Sequence, residues 1–218
     1  DPGVRLASLG ALAGQRDAAT LTAIEQALAQ DRWPEVRRAA ASARGAAGER
    51  PGGDTQVLRG ALRDPDPEVQ RQSLAALWRC EGPAATPLVL KLARGADTAP
   101  PLRGAACGLL AEARQRDGLS QALADILGAP SPEEDYLAMA LRCTRAFGRV
   151  AAPADTAVLL SALPTEAPAA LRIAAAEALK DTCQRTPAPL PAPVQAAIRT
   201  HASDENGRLR AALEAAAT

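Results

Sequence analysis

Acids and arginines recur at fixed spacing in this sequence, and the chemistry they offer is charge pairing. Asp31, Asp64, Asp97, Glu134, Glu166 and Asp204 each stand five residues before an apolar residue: Val36, Val69, Leu102, Met139, Leu171 and Leu209. An arginine follows most of those apolar residues directly: Arg37, Arg103, Arg172 and Arg210, with Arg5 behind Val4 in the same way. Gln70 and Ala140 take the other two places. A carboxylate beside a guanidinium accepts two parallel hydrogen bonds, so the pattern reads as a structural ladder.

Groups for acid–base, nucleophilic or metal chemistry are scarce. His201 is the single histidine, and it reads as a surface helix residue. Cys80, Cys107, Cys143 and Cys183 form no C-x-x-C pair, which argues against zinc. They read as small buried hydrophobes in a reducing compartment rather than as a disulfide framework. No G-x-S-x-G, phosphate loop or H-E-x-x-H occurs. The expectation is therefore a protein that is not an enzyme, with no catalytic residue, metal or cofactor.

Composition bounds the elements that hold these groups. At 47% hydrophobic and 23% charged, the chain suits a folded unit or an elongated array. Its aromatics are Trp33, Trp78, Tyr136 and Phe147, while alanine and leucine dominate, a composition for closely packed helices. The 25 basic and 25 acidic residues cancel, leaving no bulk field toward nucleic acid or an anionic membrane. No apolar run approaches the roughly 18 residues of a membrane span. A soluble, cytoplasmic chain is expected, or a periplasmic or anchored one had an N-terminal segment been removed.

Self-similarity organises the whole length. Taking Val4, Val36, Val69, Leu102, Met139, Leu171 and Leu209 as origins, successive segments are 32, 33, 33, 37, 32 and 38 residues apart. Positions four and eight beyond each origin are mostly small or apolar and share its helical face. Cys107 and Cys143, five and four beyond theirs, fall on that packed face, where thiols are inert. Between these helices lie amphipathic stretches at 21–30, 55–63, 86–94, 119–128, 156–163 and 193–202. Each repeat is thus a helical hairpin. Pro34, Pro67, Pro101 and Pro168 mark the starts of second helices, where a missing N–H costs nothing, and Pro65 stops the helix before it.

These features resemble the HEAT repeat family, in its bacterial HEAT-like form: "D-x-x-P-E-V-R" from Asp31 to Arg37, "D-P-D-P-E-V" from Asp64 to Val69, then V-R-x-x-A-x-x-A-L. The resemblance weakens at "SPEEDYLAMALRCTRAFG" and at the longer connection "TPAPLPAPV". It implies an all-α fold, a right-handed α-solenoid of about six antiparallel hairpins whose second helices line the concave side. The repeats run 1–16 (a half repeat), 17–48, 49–82, 83–116, 117–150, 151–186 and 187–218 of a single domain. Opening inside a repeat, the chain reads as a fragment of a longer protein, with an end-to-end homodimer conceivable.

Second helices hold 18 basic against 9 acidic residues, so charge is unevenly placed although it sums to zero. Positions two, six and nine beyond the origins face away from the core and carry Leu6, Arg38, Arg71, Trp78, Leu141, Arg145, Ile173 and Lys180. Arginine, tryptophan and aliphatic residues among small ones are typical anchors for a protein. Trp33 and Tyr136, each three before an origin, suggest a second exposed edge. The expected function is a non-enzymatic interaction scaffold whose concave groove holds a protein or peptide through Arg38, Arg71, Trp78, Leu141, Arg145 and Ile173. The alternatives are a nucleic-acid-binding HEAT-like protein similar to DNA-repair glycosylases, against the absence of net charge, and a bilin-lyase-like protein.

Overall fold

The computed structural model describes residues 1–48, 55–131, 134–186, 188–201 and 206–217. Among them there is no strand, and the fold is all-helical. The chain divides into two compact units, 1–88 and 89–218.

In the first unit, α1 (Pro2–Leu12), α3 (Pro34–Ala46) and α5 (Pro67–Glu81) form one layer, with α2 (Ala18–Gln30) and α4 (Gln56–Ala61) as the other. Proline opens α1, α3 and α5, each within the first turn. The doubled punctuation of "DPDP" has two functions. Asp66 accepts from the Glu68 and Val69 N–H groups at 2.9 and 3.0 Å and caps α5. Asp64 accepts from the Asp66 N–H at 2.9 Å and closes the preceding turn. Leu21, Ile24, Leu28 and Leu58 join Val36, Ala40, Val69 and Leu77 in the core.

Helix α6 (Thr86–Arg94) leads into the second unit. There α7 (Pro100–Glu112), α9 (Glu134–Gly148), α10 (Ala169–Arg185) and α12 (Gly207–Ala217) pack in sequence. Against them lie α8 (Arg116–Gly128), a 3₁₀ helix (Pro153–Ala162) and α11 (Ala192–His201). The 3₁₀ segment stands where the apolar pattern anticipates an ordinary amphipathic helix at 156–163. Thr156 Oγ1 donates to the Pro153 carbonyl three residues back at 2.6 Å within this segment. Leu102, Ala106, Leu110, Met139, Phe147, Leu171, Ala175 and Leu179 are buried, as the spacing of four requires.

Two glycines set how closely second helices approach. A Cβ on Gly45 would lie 2.8 Å from Ala76 Cα, and one on Gly148 would lie 2.8 Å from Ala178 Cα. Both stand nine residues beyond their origins, and both partners seven beyond theirs, so one close-packing device occurs in each unit.

Candidate functional site

The ladder residues act differently in the two units. Arg5 donates through Nε to Asp31 Oδ2 at 2.6 Å and through Nη2 to Oδ1 at 3.2 Å. Arg37 makes the same fork on Asp64, at 2.7 and 2.8 Å, and its Nη1 donates to the Asp31 carbonyl at 2.9 Å. Burial pushes the Asp64 carboxyl up, but the Arg37 guanidinium and the Asp66 N–H outweigh it and hold the group below the usual range. Asp31 is likewise pushed up by burial and brought down further by the Trp33 N–H and Arg5. Gln70 donates to the Asp64 carbonyl at 2.6 Å, keeping only the turn-closing half of the arginine's role.

In the second unit Arg103 and Arg172 donate to carbonyls, those of Ala93 at 3.3 Å and Leu163 at 3.1 Å. Burial lowers the Arg103 pKa. Asp97, Glu166 and Arg210 are exposed. Asp204 and the Glu134 side chain lie outside the described residues.

A buried charge is hidden from the repeat pattern. Arg44, eight residues beyond Val36 on the inward face, is 2% exposed. It meets Glu25 at 3.0 Å and Cys80 Sγ at 3.3 Å. Burial raises the Cys80 pKa, so this thiol stays protonated. The only sequence signal is an arginine at a position otherwise reserved for apolar residues.

Cysteine pairing corrects a second expectation. Cys107 on α7 and Cys143 on α9 form a disulfide, with Cα atoms 5.2 Å apart, while Cys80 and Cys183 are free. Both bridged residues are on the packed face as the spacing indicates, but neighbouring helices bring them into bonding register.

Of the groove candidates, Arg38 and Arg145 are exposed, and Arg71, Trp78, Leu141, Ile173 and Lys180 are half-buried. Arg71 is occupied by Glu68, with Nη2 to Oε2 at 2.5 Å, and Lys180 lies 4.0 Å from Asp181. Trp33 is exposed, its ring 5.3 Å from the Arg32 guanidinium carbon. Tyr136 does not share an exposed edge with it: it is buried and donates to the Ile126 carbonyl at 2.8 Å. A phenol in the first turn of α9 can reach inward because a backbone acceptor satisfies its hydroxyl.

Arg145 has companions that the repeat positions do not single out. Arg142 and Arg145 project from α9 and Arg149 follows its end; all three are exposed, and among the described residues none has an ion-pair or hydrogen-bond partner. Their i, i+3, i+7 spacing puts them on one side over about 10 Å. Gly104 of α7 makes room for Arg142, since a Cβ there would lie 3.2 Å from Arg142 Cδ. Gly108 is open, with nothing within 4 Å of its Cβ position. Leu141 and Ile173 add apolar surface on α9 and α10. Among the described residues no group of three His, Cys, Asp or Glu side chains is placed to hold a metal, and no helix is long and apolar enough to cross a membrane.

No protein-family model and no curated protein matches this chain. Among solved structures it is similar to human deoxyhypusine hydroxylase in complex with glycerol, at 21% identity and a TM-score of 0.48, covering 99% of this chain and 78% of that one. It is also similar to an engineered protein at 16% identity and a TM-score of 0.40, over 100% and 90% of the two chains. Likeness at this level assigns no activity. It does correct the expectation of a non-enzymatic scaffold: a hydroxylase is among the similar structures, so helical repeats are no ground for excluding catalysis.

Proposed function

We propose that this chain is built of HEAT-like repeats and recognises an extended acidic polypeptide segment along α7, α9 and α10 of its second unit. Recognition of this kind is compatible with a catalytic activity elsewhere on the chain. The observation that carries it is the row Arg142, Arg145 and Arg149, exposed and without partners among the described residues. Several other arginines are neutralised, as at Asp31, Asp64, Glu68 and Glu81; what marks this row is three cations on one side of a single helix and its end. Cations left without carboxylates near the open Gly108 suit the acidic side chains of an incoming polypeptide, with Leu141 and Ile173 as apolar contacts.

An acidic polypeptide fits better than nucleic acid. The second unit has two Phe, Tyr or Trp residues, Tyr136 and Phe147, and both are buried, so neither is available for base stacking. The Cys107–Cys143 disulfide supports an oxidising compartment rather than the cytoplasm.

The test is fluorescence anisotropy with a labelled glutamate-rich peptide, a neutral glutamine-rich control and a labelled single-stranded oligonucleotide. The acidic peptide should bind, weaken as salt rises, and lose at least about tenfold in affinity to an R142A/R145A/R149A variant of unchanged helicity. Equal binding by that variant, or tighter binding of the oligonucleotide, overturns the proposal.

A further inference from the structure

In sequence the connection "TPAPLPAPV" only lengthens a repeat. In the structure Ala188, Pro189 and Leu190 of this connection line a pocket. Leu190, in the middle of this connection, is 7% exposed, and Gln195 in the first turn of α11 donates to its carbonyl at 2.8 Å, holding Leu190 against the helix. A cavity of about 650 Å³ lies between this connection, the end of α10, α11 and the end of α12. That is within the range of about 300–1,000 Å³ typical of small-ligand sites.

We infer that this cavity binds a small amphipathic carboxylate. Its apolar lining comes from Leu190, Ile198 and Ala216. Its polar groups are the Gln184 and Gln195 amides and the Arg199 guanidinium. Arg199 is exposed and has no ion-pair or hydrogen-bond partner among the described residues. An arginine fork fits a carboxylate through two parallel hydrogen bonds, and one positive charge matches one carboxylate charge, whereas a phosphate carries close to two. The apolar lining sets the rest of the ligand: a hydrocarbon tail or ring, with the carboxylate toward Arg199. Cys183 lines the same space, and burial raises its pKa. It contributes a neutral thiol to the wall and performs no step.

Cys183 also supplies the test, because Cys80 is buried and the remaining two cysteines are bonded to each other. The rate of Cys183 alkylation by iodoacetamide is followed by peptide mass spectrometry on the intact, oxidised protein, with octanoate, octanol, octyl phosphate or acetate added. Octanoate should protect Cys183 saturably, while octanol and acetate protect at least tenfold less well. Arg199→Gln should raise the half-protecting octanoate concentration at least tenfold without changing the helical spectrum. Calorimetric titration of octanoate into both proteins gives the affinity independently of the thiol. Equal protection by octanol, an unaffected Arg199→Gln variant, or preference for octyl phosphate overturns the carboxylate assignment; absence of octanoate heat and of protection overturns the site. None of these measurements involves the α9 arginines, so this inference and the acidic-polypeptide proposal fail separately.

Discussion

Around α3 and α5 of the first unit, successive repeats are joined by charge: Arg5 on Asp31 and Arg37 on Asp64, each carboxylate also closing its own turn. Around α7 and α9 of the second, the corresponding connection is covalent, Cys107 to Cys143, and Arg103 and Arg172 turn to backbone carbonyls. One repeat pattern thus reaches neighbouring hairpins by two physical means. A two-pronged charged link depends on both partners being present and ionised, whereas a disulfide depends on redox state and not on pH in the acid range. Exposed arginines without partners among the described residues occur in both units, but in the second Arg142, Arg145 and Arg149 fall on one side of a single helix and its end.

The largest effect should come from removing half of a buried pair. Arg37 and Asp64 have side chains 12% and 9% exposed. Arg37→Ala strands the Asp64 carboxylate and should cost about 3–5 kcal/mol in urea unfolding. A loss below about 1 kcal/mol would reduce the ladder to surface decoration. Next, Cys107→Ser with Cys143→Ser should cost about 2–4 kcal/mol, lowering amide-exchange protection in α9 and leaving α3 unchanged. Equal loss in α3 would show that the units do not respond separately.

Gly45→Ala and Gly148→Ala provide a sharper comparison, because both glycines meet an alanine Cα at the same 2.8 Å. Each should cost about 1–3 kcal/mol from overpacking, by nearly equal amounts. Unequal costs would mean that the two units tolerate helix displacement differently.

The smallest effect is the pH dependence. Asp31 and Asp64 have folded pKa values below their unfolded ones, so their contribution is complete above the unfolded value near 3.9 and is lost as pH falls through the folded values. Between pH 5 and 2, exchange protection in α3 and α5 should fall more than that in α7 and α9. The reverse order would break the contrast between charged and covalent links.

Much of the fold is legible because it is periodic. An origin every 32 to 38 residues, prolines at helix starts and apolar residues four and eight beyond each origin are local signals, set by helix geometry. The 3₁₀ helix at Pro153–Ala162 is not, since its apolar content resembles that of an ordinary helix. Spacing from the origin alone puts Tyr136 at an exposed edge and does not reveal the Ile126 carbonyl beneath it. Helical position alone places Arg71 and Arg145 in one wide groove, and nothing in residue type distinguishes Arg71, held by Glu68, from Arg145, held by nothing among the described residues.

By itself the sequence determined the hairpins, their order and the inward face of each helix, because these follow from periodicity and backbone sterics within a few turns. Tertiary structure decided which cysteines meet, which arginines find a carboxylate or a carbonyl, how closely Gly148 lets α10 approach, and that Ala188, Pro189 and Leu190 before α11 line an open pocket. Each of those depends on the offset between neighbouring helices. That offset is set by the packing of side chains from separate repeats, a balance that no single repeat contains.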